Sequence, residues 1–175
     1  AMSNPSALRI CTYNCRSVKK SLQEVIRLCN SHDIVCLQEH WLLPSDLDFL
    51  SSIHKDFYSA GSSAVDVSSN ILVGRPYGGT AILYRKTLCS SVSILPTTNP
   101  CVTRLKLLTA VGPLMLLTVY MPTEYNDDES LEKYLDACAH LNAMLTDSDI
   151  PHAVIVGDFN CQPGSRFFDV LSHVL

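Results

Sequence analysis

The run His152-Ala153-Val154-Ile155-Val156-Gly157-Asp158-Phe159-Asn160 constrains this chain more than any other stretch. An apolar, β-branched segment stops at a glycine, and two polar side chains follow at i and i+2. That layout puts Asp158 and Asn160 at the mouth of a buried strand, where open α/β sheets bind their ligands. Two earlier strand ends carry polar residues in the same way, Thr12-Tyr13-Asn14 and Leu37-Gln38-Glu39.

Composition narrows the field. The chain has 175 residues, 47% hydrophobic and 17% charged, so a single domain over 1–175 with a sizeable core is expected. No apolar run reaches the roughly 18 residues that span a bilayer, so no membrane partner is expected. A formal charge of −4 argues against gripping nucleic acid through global charge. A local basic rim remains, from Arg16, Lys19 and Lys20 after the first strand and Arg75, Arg85 and Lys86 around another. The lysines taken singly read as solvated surface. Eight cysteines without a Cys-x-x-Cys pair read as free thiols in a reducing compartment rather than as a disulfide framework or zinc site.

Along the chain, residues 8–13 read as the first strand. Ser21-Leu22-Gln23-Glu24 has capping-box spacing ahead of an apolar helical stripe, Leu22, Val25, Ile26 and Cys29. Residues 34–37 are the second strand, and 45–53 a short helix. The serine-rich stretch 59–70 lacks periodicity and reads as a surface loop. Strands over 79–84, 90–95, 102–108 and 114–120 follow, with the spacing of an antiparallel meander. A helix over 128–146 carries Leu131, Tyr134, Leu135, Cys138, Leu141 and Leu145 on one face. The strand into Asp158 comes next, and another helix starts near 164–171. Antiparallel strands mixed with crossover helices predict a layered α/β sandwich.

Asn14, Glu39 and the Asp158/Asn160 pair end three separate strands, and Tyr120-Met121-Pro122 ends a fourth. Mg²⁺ takes oxygen ligands and keeps several waters, so one or two carboxylates and a substrate phosphate suffice to hold it. Phosphodiester hydrolysis further needs an oriented water and stabilised phosphoryl charge. Asp158 suits the first task. Asn160 and Tyr120 suit the second, because they hydrogen-bond phosphate without adding negative charge. Arg75 and Tyr77 beside Gly78-Gly79 read equally as DNA-backbone contacts or as a strand-leading turn. His40 reads as a surface or satisfied histidine, and Trp41 as packing, with stacking on a base the alternative.

Five blocks together resemble the endonuclease/exonuclease/phosphatase superfamily, which includes deoxyribonuclease I and the abasic-site endonucleases. They are Thr12-Tyr13-Asn14-Cys15-Arg16-Ser17, Cys36-Leu37-Gln38-Glu39-His40-Trp41, the stretch from Gly74 to Leu83, Val119-Tyr120-Met121-Pro122 and Gly157-Asp158-Phe159-Asn160. The Cys-Arg-Ser and Gly-Arg-Pro-Tyr-Gly-Gly details look most like endonuclease domains of non-LTR (LINE-type) retrotransposons. The resemblance implies a partial four-layer α/β sandwich of the deoxyribonuclease I-like type, with mixed, mostly antiparallel sheets flanked by helices. It implies Glu39 as principal Mg²⁺ ligand, with Mn²⁺ an alternative, and Asn14 supporting the metal. Tyr120 and Asn160 would hold the scissile phosphate, Asp158 the attacking water, and Arg16, Arg75 and Tyr77 the substrate. The implied activity is Mg²⁺-dependent nicking of DNA, whose 3′-hydroxyl primes reverse transcription. The implied partners are DNA and the reverse-transcriptase region of the same polyprotein, in the nucleus after a cytoplasmic ribonucleoprotein phase.

The superfamily pattern continues to a late Asp and a Ser-Asp-His ending that this chain lacks. Leu171-Ser172-His173-Val174 is the nearest approach, and His173 reads as an ordinary helix residue. The expectation is therefore a chain lacking its C-terminal part, with little nicking of its own, since a positioned acid/base group contributes ~10²–10⁴-fold. It would also leave a sheet edge open to self-association or to a partner. The competing expectations are a superfamily phosphoesterase acting on RNA or on lipid or inositol phosphates, and a non-catalytic module on the same scaffold.

Overall fold

The computed structural model describes residues 7–67, 74–97 and 99–174. In chain order it contains β1 (Ile10–Asn14), α1 (Leu22–Ser31), β2 (Ile34–Gln38), a 3-10 turn (Pro44–Asp46), α2 (Phe49–Ser52), β3 (Phe57–Ser62) and β4 (Thr80–Arg85). A second 3-10 turn (Lys86–Ser91) leads to β5 (Val92–Leu95), β6 (Val102–Thr109), β7 (Gly112–Tyr120), α3 (Asp128–Thr146), β8 (His152–Asp158) and α4 (Arg166–Val174). The strands form two sheets, ordered β1-β2-β4-β3 and β5-β6-β7-β8. In each sheet two pairings are antiparallel and one, β1 with β2 or β7 with β8, is parallel. A parallel pair needs a crossover, and α1 and α3 supply the two.

Side chains alternate across a strand, and that alternation builds four layers. On β2, Val35 and Leu37 face α1, packing with Val25 and Cys29. Ile34 and Cys36 point the other way and meet Leu105, Leu107 and Leu116 of the second sheet. On β7, Met115, Leu117 and Val119 face α3 and α4, against Tyr134, Cys138, Leu141 and Phe167. The order is helices, sheet, sheet, helices. The middle of each sheet is covered on both faces, so β2 and residues 115–119 of β7 are buried throughout.

The same alternation carries polar side chains into the seam between the sheets at one end. Gln38 continues the Ile34–Cys36 series and is buried; its Nε2 donates to Thr118 Oγ1 at 2.7 Å and to Thr12 Oγ1 at 3.0 Å. Thr80 and Thr103, also buried, meet hydroxyl to hydroxyl at 2.9 Å. The seam is apolar at one end and hydrogen-bonded at the other, where β1, β2, β7 and β8 finish.

Several expectations change. Ser21 precedes α1, but its hydroxyl donates to the Cys15 carbonyl at 2.7 Å instead of capping the helix, so the capping box is not formed. The helix expected over 45–53 divides into a 3-10 turn and the single turn of α2. The loop expected over 59–70 begins as strand: β3 pairs with β4 through Ser62↔Thr80, and the part from 68 to 70 lies outside the described residues. The meander is confined to β5–β7, because β4 joins the other sheet. Leu135 is 44% exposed on α3 and does not belong to the buried stripe. All eight cysteines are free thiols. Among the described residues β1 pairs only with β2 and β8 only with β7.

The end of the sheet remote from the polar seam is tied by Asp33. Its carboxylate accepts from the Arg9 side chain and backbone N–H and from Arg85 Nε at 3.1 Å. Burial pushes this carboxyl up, but the hydrogen bonds from Arg9 and Arg85 outweigh it and hold it below its ordinary 3.8. The unfolded chain then binds the proton first, so the contribution is full above pH 3.8 and is lost as pH falls through the folded-state value. Asp33→Asn is expected to flatten the acid limb of stability. Urea melts at pH 7 and pH 3 check this, and equal losses in the two proteins would refute it.

Candidate active site

The four strand ends converge across the seam. Asn14, the last residue of β1, points its amide between two carboxylates. Nδ2 donates to Glu39 Oε1 at 2.6 Å and to Asp158 Oδ2 of the opposite sheet at 2.8 Å. Asn14 Oδ1 accepts from the Arg16 backbone N–H at 3.3 Å, which fixes the direction of the amide. Tyr120 is Asp158's register partner on β7. Its phenol is pushed up to about 12 by burial first, then by the charges of Glu39 and Asp158 and a hydrogen bond with Glu39. A phenol so placed keeps its proton at neutral pH and is a donor to an anion.

Glu39 sits where the chain turns out of β2. Its φ is +55°, and Arg16, Ser17, Trp41 and Asn160 also have positive φ. Among the described residues, five of the six such non-glycine positions therefore border this one place. Such backbone persists only where the surroundings over-determine it, and it clusters at functional sites. Here main-chain bonds do the holding: Cys15 N–H to Gln38 O, Ser17 N–H to Glu39 O and Val18 N–H to His40 O, at 2.9, 2.8 and 3.1 Å. His40 turns inward. Its Nδ1 accepts from Leu42 N–H at 3.0 Å and its Nε2 lies 3.0 Å from the Ser62 carbonyl, so Nε2 carries the proton. Burial drives this imidazole toward its neutral form. It is a satisfied core histidine, as expected.

The Asp158 turn is held as firmly. Asn160 N–H donates to Asp158 Oδ1 at 3.1 Å, and Asn160 Nδ2 to the Met121 carbonyl at 2.7 Å. Tyr134 of α3 donates its hydroxyl to Phe159 O at 3.0 Å. One amide hydrogen of Asn160 is thus spent on tethering the segment after Tyr120. Arg16, Arg75 and Tyr77 are exposed around the cluster, and Gly78, beside Tyr77, lies against the Tyr120 ring. His173 is exposed on α4 with its ring on the Asp169 carbonyl, away from any of these contacts.

Two neighbours escaped sequence reasoning. Trp41 donates its indole N–H to Glu39 Oε2 at 3.2 Å. Gln38 ties the seam behind the cluster. Inward parity from Ile34 and Cys36 points to Gln38, whereas nothing local points to Trp41, whose reach depends on the left-handed turn.

Glu39 and Asp158 share one amide nitrogen, and neither is in an ion pair among the described residues. Two carboxylates outside any ion pair are hard-oxygen donors that fit a Mg²⁺-like ion, and the Asn14 amide turns its N–H₂ rather than its oxygen toward them. Among the described residues no group of three or more His, Cys, Asp or Glu could hold a metal.

Two facing sheets flanked by helices, with oxygen donors gathered at their strand ends, define an α/β/β/α sandwich with a polar site at one end. The sequence takes the assignment one level further. The model of the endonuclease/exonuclease/phosphatase family matches residues 11–173, and the chain belongs to that family. No curated protein sequence matches it. Among solved structures it is similar to the 3′ phosphatase NExo from Neisseria bound to a product DNA hairpin, at 16% identity and TM-score 0.69, over 96% of this chain and 71% of that one. It is similar to an AP endonuclease from Archaeoglobus fulgidus, at 21% identity and TM-score 0.60, over 87% and 57%. It is also similar to the human nocturnin catalytic domain with bound sulfate, at 13% identity and TM-score 0.59, over 93% and 67%.

Proposed function

We propose that this chain carries the metal-binding part of a Mg²⁺-dependent DNA-nicking site of a LINE-type retrotransposon endonuclease. The observation that supports it best is the Asn14 amide joining Glu39 to Asp158, with Tyr120 alongside. Glu39, supported by Asn14, would hold the ion, and Mn²⁺ could take its place. When bound, the ion would neutralise charge developing on the phosphoryl oxygens. Asp158 would accept a proton from water as its oxygen bonds to phosphorus. The bond to the 3′ oxygen would break, and that oxygen would take a proton from solvent water to become a 3′-hydroxyl, with a 5′-phosphate on the other fragment. Tyr120 and the free amide hydrogen of Asn160 would donate to the phosphate. Arg16, Arg75 and Tyr77, exposed around the cluster, would meet the DNA backbone. The released 3′-hydroxyl would prime the reverse-transcriptase region of the same polyprotein, in the nucleus after a cytoplasmic ribonucleoprotein phase. The outer edge of β8, with Val154 38% exposed, is the candidate edge for self-association.

Supercoiled-plasmid nicking in Mg²⁺ and in EDTA tests the reading, run on this chain and on its reading frame continued past residue 175. Nicking by either, abolished by EDTA and by Glu39→Ala, supports it. Turnover of RNA ends or phosphate monoesters in its place moves the assignment to another branch. Neither turnover nor metal uptake overturns it in favour of a non-catalytic module.

A further inference from the structure

Glu39 is a flexible side chain on a left-handed backbone, and something must fix the plane of its carboxylate. Each of its oxygens takes a donor from a different part of the chain. Asn14 Nδ2, from β1, serves Oε1 at 2.6 Å. The Trp41 indole N–H, two residues on, serves Oε2 at 3.2 Å. Trp41 is itself fixed at two points. Its backbone N–H donates to Gly78 O at 3.1 Å, and the Arg75 guanidinium lies over its ring, 5.1 Å from the centroid. A cation over an indole face is attracted to it and helps to hold the ring in place. An indole N–H only donates, so it orients a carboxylate without competing for a cation. If Trp41 served packing alone, a phenyl ring would do as well.

We propose that Trp41 is a positioning residue for Glu39. Its N–H sets the rotation of the carboxylate so that the lone pairs left by Asn14, Trp41 and Tyr120 face a divalent cation, and Arg75 holds the ring in place from the solvent side. The inference rests on the metal-site reading above. Outer-shell donors of this kind are worth about 10–100-fold in metal affinity.

The chain contains one tryptophan, so its amide spectrum has a single indole N–H signal, which is Trp41. Glu39→Gln is expected to move that signal, and Mg²⁺ titration of the wild type is expected to move it saturably. Trp41→Phe keeps a ring under Arg75 and removes only the donor. It is expected to weaken Mn²⁺ binding, measured by calorimetry, about 10–100-fold while leaving the backbone amide spectrum otherwise unchanged. An indole signal indifferent to Glu39→Gln overturns the proposal without any change at Trp41. Trp41→Phe binding Mn²⁺ as tightly as the wild type overturns the proposal alone. A wild type that takes up neither ion overturns it together with the reading of the site.

Discussion

Glu39→Gln is expected to lower divalent-cation affinity and any Mg²⁺-dependent hydrolysis by more than ~100-fold, beyond the range for outer-shell partners, and to raise thermal stability in EDTA. The two effects have one origin. Glu39 Oε1 and Asp158 Oδ2 both lie within 2.8 Å of the same Asn14 nitrogen, with no ion-paired cation between them among the described residues. Two unit charges ~5 Å apart repel by about 3 kcal/mol at an effective dielectric near 20. The donors on them, Asn14, Trp41 and Tyr120 on Glu39 and Asn14 and the Asn160 N–H on Asp158, offset only part of this. Gln is the same size and keeps an acceptor for Asn14 or Trp41, so it removes the repulsion without opening a cavity. Adding Mg²⁺ should reverse the order, because a ligand bound only by the folded state stabilises by mass action and the variant lacks the site. Melting curves of both proteins in EDTA and in Mg²⁺, with calorimetric titration, check this. A Glu39→Gln protein that melts below the wild type in EDTA would mean that the carboxylate is structural.

Where information is local, the sequence already carried it. Helix α3 runs over 128–146 as expected, because Asp127 caps it by accepting from Ser130 N–H at 2.7 Å and its buried residues recur at helical spacing. Asn14, Glu39, Tyr120 and Asp158 were legible one by one, since each interrupts or ends an apolar run. Their grouping into one site came from the resemblance; the contacts themselves, with Asn14 between Glu39 and Asp158, depend on how two sheets pack, and no spacing along the chain encodes that. Strand β3 was missed for the same kind of reason. Phe57 to Ser62 has little β patterning of its own, and it is a strand because β4 offers it a register. Trp41 shows the sharpest limit. Its side chain is ordinary in sequence, and its role comes from two positive-φ residues, Glu39 and Trp41, on either side of a buried histidine.

That dependence on backbone singles out the glycine in the block that first drew attention. Gly157 has φ +142° and pairs with Val119 in the parallel β7–β8 ladder. A Cβ there would fall well inside the van der Waals shell of the Val119 carbonyl oxygen and 2.8 Å from the Val119 nitrogen. Both are backbone atoms of a central strand, so no rotamer change relieves the clash. Gly157→Ala therefore combines overpacking at about 1–3 kcal/mol with a strained φ at a similar cost. The expected loss, roughly 2–6 kcal/mol, is a large part of the 5–15 kcal/mol that ordinarily holds a domain together. The chain's way out is to peel β8 from β7 at the next pair, Tyr120 and Asp158. That withdraws Asp158 from Asn14, so metal binding should fail along with stability. Gly164→Ala supplies the comparison: its φ is +85°, yet nothing lies within 4 Å of the added carbon. It should cost only the conformational penalty of about 1 kcal/mol. Urea melts of the two variants separate the contributions. If Gly157→Ala unfolds at the same urea concentration as Gly164→Ala and still binds Mn²⁺ as the wild type does, the close approach of β8 to Val119 is not what holds Asp158 in the site.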